Sequence, residues 1–241
     1  MTRLAPLLLT LAACSELAPV SGPNILVLIS DDIGKDRTGA YALEGETYTP
    51  TLAALAEEGM TFHNVYSSPT CSPSRTTLQT GRYGSRTGMG RWIYPDTERW
   101  DMHLDEVTIP EMLDEAETTY TKAAVGKWHM VRFTRDEPAM HPLEHGYDYH
   151  RGGLANPRDA IQQGNTPRSY YNWEKNVDGQ VEWTDTYMTT DTINEAIGMI
   201  EELPEPWFLW VAMNAAHTPL HVPPDDLNPM GMTETLSLIH I

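Results

Sequence analysis

Two cysteines are all that this chain of 241 residues holds, Cys14 and Cys71. That excludes a disulfide-stapled scaffold, which needs several paired cysteines. Phenylalanine is scarce at three residues, and aromatic bulk comes from seven Trp and eleven Tyr. Positive charge is short as well: 16 Lys and Arg stand against 34 Asp and Glu, a formal net charge of −18. With no basic stripe, nucleic acid is not an expected partner. An anionic ligand would have to be held by local cations. The sequence contains no internal repeat, no low-complexity tract and no apolar run long enough to cross a bilayer. What remains is an ordinary globular composition, with length for one sizeable core or two small ones.

At the start, Arg3 precedes a short apolar run that ends in Leu11-Ala12-Ala13-Cys14. The pattern is that of a secretory signal, and Leu-Ala-Ala-Cys resembles the bacterial lipobox, whose cysteine becomes the lipidated first residue. The expectation is a lipoprotein-type signal peptide over residues 1–13 and a Ser/Pro/Gly-containing tether over 14–22. The protein would be exported, in the periplasm or on the outer membrane of a bacterium, and would touch the membrane through its lipid alone. An ordinary signal peptide containing Cys14 is the other reading. At the far end, Leu236-Ser-Leu-Ile-His-Ile241 matches the translation of a transposase adaptor used in sequencing libraries. Residues 236–241 are therefore read as an artefact, and 23–235 as the folded part.

Asn24-Ile-Leu-Val-Leu-Ile-Ser30 is a continuous apolar run and reads as a strand buried on both faces. A helix is expected over 50–58, with Leu52, Leu55 and Ala56 on one face and Gly59 as its C-cap. A short strand follows over 60–66. Further on come a helix over 107–117 that buries Ile109, Met112 and Leu113, and a strand over 120–125. Residues 132–180 are polar and weakly patterned, and read as long loops with a hairpin turn at Asp178-Gly179. A helix over 185–203 should bury Ile193, Ala196, Ile197 and Ile200, and Pro204 and Pro206 end it. A last strand runs over 207–213. Strands alternating with helices give an α/β fold with a mostly parallel sheet.

The most informative stretch is Pro69-Thr-Cys71-Ser-Pro73-Ser-Arg75-Thr-Thr-Leu78-Gln-Thr80-Gly81. Proline at the first helical position and glycine after the last bracket a short helix. Cys71 and Arg75, at i and i+4, share a face, and the helix N-terminus with the guanidinium favours an anion beside residue 71. A buried structural thiol is one reading of Cys71. A thiolate nucleophile of the tyrosine-phosphatase type is another, but that class sets its cysteine and arginine further apart. Cys-x-Pro-Ser-Arg followed by x-x-Leu-x-Thr-Gly resembles the signature of the formylglycine-dependent sulfatases, members of the alkaline phosphatase superfamily. The resemblance implies that a formylglycine-generating enzyme oxidises Cys71 to formylglycine (3-oxoalanine), whose hydrate is the nucleophile. It also implies an alkaline-phosphatase-like mixed sheet flanked by helices, here truncated at the C-terminus, and a sulfated small molecule or glycan as substrate.

Three further clusters lie at strand ends, where open α/β sheets place their sites. Asp31-Asp32 suits a hard cation such as calcium, or is simply a solvated turn. Gly126-Lys127-Trp128-His129 puts Lys127 and His129 on one side of an extended segment. His217 stands in Asn-Ala-Ala-His217-Thr-Pro, and His221 follows as a second histidine or a loop residue. In the family resembled, Asp31, Asp32 and residue 71 would hold Ca2+, Lys127 would bind sulfate, His129 would take the proton of the hydrated aldehyde, and His217 would face sulfate and leaving group. His141 and His145 lack a third ligand for zinc and read as solvated or substrate-side loop residues. Trp92, Tyr94, Trp173 and Trp183 are candidates for stacking on sugar rings. The resemblance covers residues 23 to about 230. Family members place an Asp-Asn pair and a second lysine further downstream, and no such segment occurs in this sequence, so the 241-residue chain is expected to be inactive. A phosphodiesterase or phosphonate monoester hydrolase of the same superfamily, and a non-catalytic glycan-binding lipoprotein, are the rival readings.

Overall fold

The computed structural model describes residues 22–41, 49–93, 100–116, 118–157, 169–219, 221–228 and 231. Cys14, Tyr94 and residues 236–241 lie outside them. Six strands form one sheet in the order β1-β6-β2-β3-β4-β5. They are β1 (Ile25–Ile29), β2 (Thr121–Gly126), β3 (Tyr149–Gly152), β4 (Trp173–Val177), β5 (Gln180–Thr184) and β6 (Trp207–Ala212). The first four in that order are parallel, and β4 and β5 add an antiparallel hairpin. The helices are α1 (Pro50–Glu58), α2 (Cys71–Thr80), α3 (Gly84–Thr87), α4 (Ile109–Glu115), α5 (His141–Glu144) and α6 (Met188–Glu202). Among the described residues no helix is long and apolar enough to cross a membrane.

The core lies on both faces of β6 and β2. One face packs Phe208, Trp210 and Ala124 with Trp128, Met130 and Tyr147, joined by Ile25, Val27 and Ile29 of β1. The other packs Leu209, Val211, Ala123 and Val125 under Ala196, Met199 and Leu203. β6 reads as an apolar run because it is covered on both sides. β1 is not. Its Leu26 and Leu28 are 50% and 54% exposed, because α6 packs chiefly over β2, β6 and β3. The expectation of a strand buried on both faces is corrected accordingly.

Other expectations need correction too. Residues 60–66 form no strand, and Met60, Phe62, Val65 and Tyr66 are exposed. Helix α1 forms and Gly59 caps it, but no residue in it is buried. In α4 it is Pro110 that is buried, with Ile109 and Leu113 partly so and Met112 exposed. Helix α6 turns a different face inward: Met188, Asp191, Thr192, Ala196 and Met199 are buried, while Ile193, Ile197 and Ile200 are exposed. Electrostatics sets that rotation. Lys175 of β4 donates to Asp191 at 2.9 Å and to Glu195 at 2.5 Å, and Arg151 of β3 reaches Glu195 at 3.0 Å. The polar segment 132–180 is no run of loops but contains β3, α5, β4 and the start of β5. Its hairpin turn sits where expected, with positive φ at both Asp178 and Gly179, as a two-residue type I′ connection requires.

Candidate active site

Helix α2 starts two residues earlier than the position of Pro73 suggests. Thr70 is the N-cap in extended backbone and Cys71 is the first helical residue, which leaves Pro73 at the third, still in the turn whose N–H groups have no helical partner. Gly81 ends the helix at φ 65°, as expected of a C-cap glycine. The loop after β1 is tied to the loop after β6: Asp31 N donates to Ala215 O, and Ala216 N to Asp31 O. The segment after β2 leaves the sheet at Gly126. Lys127 N bonds Ala212 O, Trp128 N bonds Gly153 O, and His129 N bonds Leu154 O. His129 adopts φ 55°, so the segment is not extended. Lys127 and His129 nevertheless both reach the site, while Trp128 between them packs into the core.

The half-buried thiol of Cys71 lies 3.2 Å from His129 Nδ1. On the other side of the ring, His129 Nε2 is 3.1 Å from the Ile93 carbonyl. A carbonyl only accepts, so Nε2 carries the proton and the Nδ1 lone pair faces residue 71. Burial holds His129 well below the usual imidazole range, with the positive charges of Lys127 and Arg75 adding to the effect.

Arg75 and Lys127 are both buried, and so is Asp31. Arg75 donates through one terminal nitrogen to Lys127 O at 2.6 Å, and its other terminal nitrogen is 3.6 Å from Asp31 Oδ2. Lys127 Nζ donates to the same carboxylate oxygen. Burial lowers both basic pKa values, and the Arg75 charge lowers that of Lys127 further. Two cations thus share one buried carboxylate. Arg75 Nε is buried without a partner among the described residues. A surplus positive charge and a spare donor at a helix N-terminus are complementary to an oxyanion. Beside them is a cleft of about 390 Å³ lined by Asp31, Asp32, Cys71, Ser74 and Arg75.

Asp32 is half exposed, with its carboxylate 3.6 Å from His217 Nε2. His217 Nδ1 lies 2.7 Å from Thr218 O and therefore donates, which leaves Nε2 to accept from Asn156 Nδ2 at 3.2 Å. The Tyr170 hydroxyl holds this loop through the carbonyls of Asn214 and His217. Asn156 also lines a second cleft of about 260 Å³ with Phe133, Leu154, Trp173 and Met188. Of the aromatic candidates, Trp173 is buried with its indole N–H on Thr186 O, and Trp183 is exposed on β5. Trp92 belongs to the loop that carries Ile93.

Several expected residues are elsewhere. His141 and His145 are fully buried, not solvated. His141 accepts the Trp128 indole proton at 2.9 Å and bonds Met102 O at 2.9 Å, and the His145 ring stands 4.6 Å from it. They brace the segment that carries Lys127 and His129. His221 stacks on Tyr170 and bonds the Tyr187 hydroxyl. Three residues of the site gave no signal in the sequence: Ser72, Ile93 and Asn156. The first two act through the main chain of residue 93, and the third stands in a segment without pattern.

For calcium, Asp31 and Asp32 fit in kind, being hard oxygen donors at the mouth of the cleft. They do not fit in number. Calcium takes roughly six to eight oxygens, and the described residues contain no group of three or more metal-ligating side chains.

A family model described as Sulfatase matches residues 23–233. The chain is 30% identical over 222 residues to an arylsulfatase of Klebsiella aerogenes, a match covering 88% of this chain and 47% of that protein. It is 34% identical over 218 residues to the N-acetylgalactosamine-6-sulfatase of Homo sapiens, covering 83% and 40%. Among solved structures it is similar to Ps i-CgsB in complex with k-i-k-neocarrahexaose, with a TM-score of 0.69 at 28% identity over 83% of this chain and 47% of that one. The PsFucS1 sulfatase from Pseudoalteromonas sp. gives a TM-score of 0.66 at 25% identity over 84% and 46%. The chain thus spans less than half the length of these proteins.

Proposed function

The chain belongs to the sulfatase family, and we propose on that footing that residue 71, once oxidised from cysteine to formylglycine, is the nucleophile of a sulfate-monoester hydrolase. The observation that carries the proposal is the Cys71–His129 contact inside a buried group with surplus positive charge. The Cys71 sulfur stands in for a hydroxyl of the hydrated aldehyde. The modified residue would supply a geminal diol: one hydroxyl oxygen would bond sulfur as the ester S–O bond breaks and the alcohol leaves with that hydroxyl's proton, and the other hydroxyl would carry the proton removed when sulfate is expelled. Arg75 and Lys127 bind and orient the sulfonate oxygens. His129 Nδ1 accepts the diol proton, since its lone pair already faces residue 71. His217 stands on the leaving-group side, fixed by Asn156 and Thr218. Asp31 and Asp32, with the oxygen of residue 71, would be part of a calcium site that needs further oxygen ligands beyond the described residues.

The substrate proposed is a sulfated small molecule or glycan. The arylsulfatase relative and the oligosaccharide complex of a structural neighbour support that class, and the second cleft beside Asn156 gives a leaving group a largely apolar wall. Because the chain spans less than half of its relatives, and Asp31 and Asp32 are too few for calcium, we also propose that the 241 residues alone do not turn over. Export and lipidation at Cys14 are part of the same reading, resting on the Leu-Ala-Ala-Cys sequence. Incorporation of labelled fatty acid that Cys14→Ser abolishes would support it.

The central test is mass spectrometry of the residue-71 peptide from a host with a formylglycine-generating enzyme, with rates on aryl sulfates, phosphodiesters and phosphonate monoesters. Formylglycine at 71 with preference for the sulfate ester is expected of the complete protein, as is loss of rate on chelation. An unmodified thiol without turnover would favour the binding role. A preference for phosphorus esters would overturn the substrate class.

A further inference from the structure

Ser72 follows the nucleophile position and is fully buried. Its Oγ accepts the backbone N–H of Ile93 at 3.1 Å. Ile93, fully buried too, belongs to the loop that follows α3 and returns over the start of α2. The carbonyl of that residue takes the Nε2 proton of His129 at 3.1 Å, and His129 Nδ1 lies 3.2 Å from Cys71. The contacts therefore close a circuit. Residue 71 meets His129, His129 meets the carbonyl of Ile93, the N–H of Ile93 meets Ser72, and Ser72 is bonded covalently to residue 71.

The two ends of Ile93 are held by different groups for different purposes. The carbonyl end selects a tautomer, because a neutral imidazole whose Nε2 donates has its lone pair on Nδ1. The N–H end fixes where that carbonyl stands. Without the serine oxygen the Ile93 N–H would be buried and unpaired, which native structures avoid. The loop would then shift to find another acceptor and carry the carbonyl with it. His129 would lose its tautomer selection while keeping its charge neighbours, Lys127 and Arg75.

We propose that Ser72 is a positioning residue: through the main chain of Ile93, whose N–H and carbonyl flank its Cα, it holds His129 with the Nδ1 lone pair on residue 71. The hydroxyl is fully buried and turned to the Ile93 N–H, so its effect belongs in the turnover step and not in substrate capture. Threonine keeps the oxygen and should keep the function, whereas alanine removes it. This inference rests on the sulfatase reading for its rate measurement only.

The test compares wild type, Ser72→Ala and Ser72→Thr in the complete protein, with rates on an aryl sulfate normalised to the formylglycine content of each sample. Ring-nitrogen NMR of His129 in labelled protein at neutral pH accompanies the kinetics. Ser72→Ala is expected to lower kcat roughly tenfold to a hundredfold with KM changed by less than about twofold, and Ser72→Thr to restore kcat. The His129 ring should be Nε2-protonated in wild type and in Ser72→Thr, and a mixture of tautomers in Ser72→Ala. Wild-type kcat in Ser72→Ala, or a loss of kcat with the tautomer unchanged, would overturn the proposal. If fully converted wild type hydrolyses no sulfate ester, the sulfatase reading fails, and the NMR comparison still decides the role of Ser72.

Discussion

At the residue scale the site is organised around a histidine that burial keeps neutral. The Ile93 carbonyl determines which nitrogen of His129 holds the proton, and Lys127 and Arg75 disfavour a second one. A base of this kind stays available as the solution is acidified, because the proton that would disable it has to enter a buried, positively charged neighbourhood. The acid limb of kcat/KM is therefore expected below the ordinary imidazole value of about 6.5. His129→Ala should lower kcat by about 10²- to 10⁴-fold, the usual contribution of a positioned acid or base. A pH–rate profile with an acid limb at an unshifted histidine value, absent in His129→Ala, would contradict the environment described for this ring.

Among the elements, α2 carries the most chemistry in the fewest residues, and the glycine that ends it responds to substitution differently from the glycine that ends β2. Gly81 sits at φ 65°, and a Cβ there would meet nothing within 4 Å. Gly81→Ala should therefore destabilise by about 1 kcal/mol through backbone strain alone, seen as a drop of a few degrees in Tm, with kcat unchanged. Gly126 differs. Its φ is 89° and an added Cβ would collide with the Ala212 carbonyl, so Gly126→Ala should displace Lys127 and reduce both stability and activity. α2 was legible from Pro73 and Gly81, and β6 from an apolar run that stays buried on both faces. β3 and β4 were not, since they bury polar side chains. Asn176 is satisfied by Ala139 O and His150, and Lys175 by Asp191 and Glu195. Those partners are distant in sequence, so the strands read as loops, and the same ion pairs rotate α6 away from its expected face. In the site, Asp31, Cys71, Arg75, Lys127 and His129 could be named from motifs and do converge. Ser72 and Ile93 could not, because their part is played through a main-chain group.

For the molecule as a whole, four buried histidines set the response to acid. Burial lowers His129, His141 and His145, and takes His150 to about 3. In the unfolded chain each would titrate near 6.5. Above that value neither state binds the proton and stability is unaffected. Below it the unfolded chain takes up protons that the native state refuses, so stability falls as pH drops from about 6.5 toward 3. His150 alone should contribute a loss of about 2 kcal/mol by pH 5. Denaturant midpoints should therefore be lower at pH 5 than at pH 7.5. A midpoint that does not move would show that these rings are hydrated in solution.

The uncovered flank of β1 has a practical consequence. A strand paired on one side only among the described residues, with Leu26 and Leu28 bare beside it, is a template on which another chain's backbone can add. Made on its own, the 241-residue polypeptide should be a poor solute, with soluble yield falling as concentration rises and product collecting in the insoluble fraction. Leu26→Lys, a gatekeeper on the open face, should return much of it to solution.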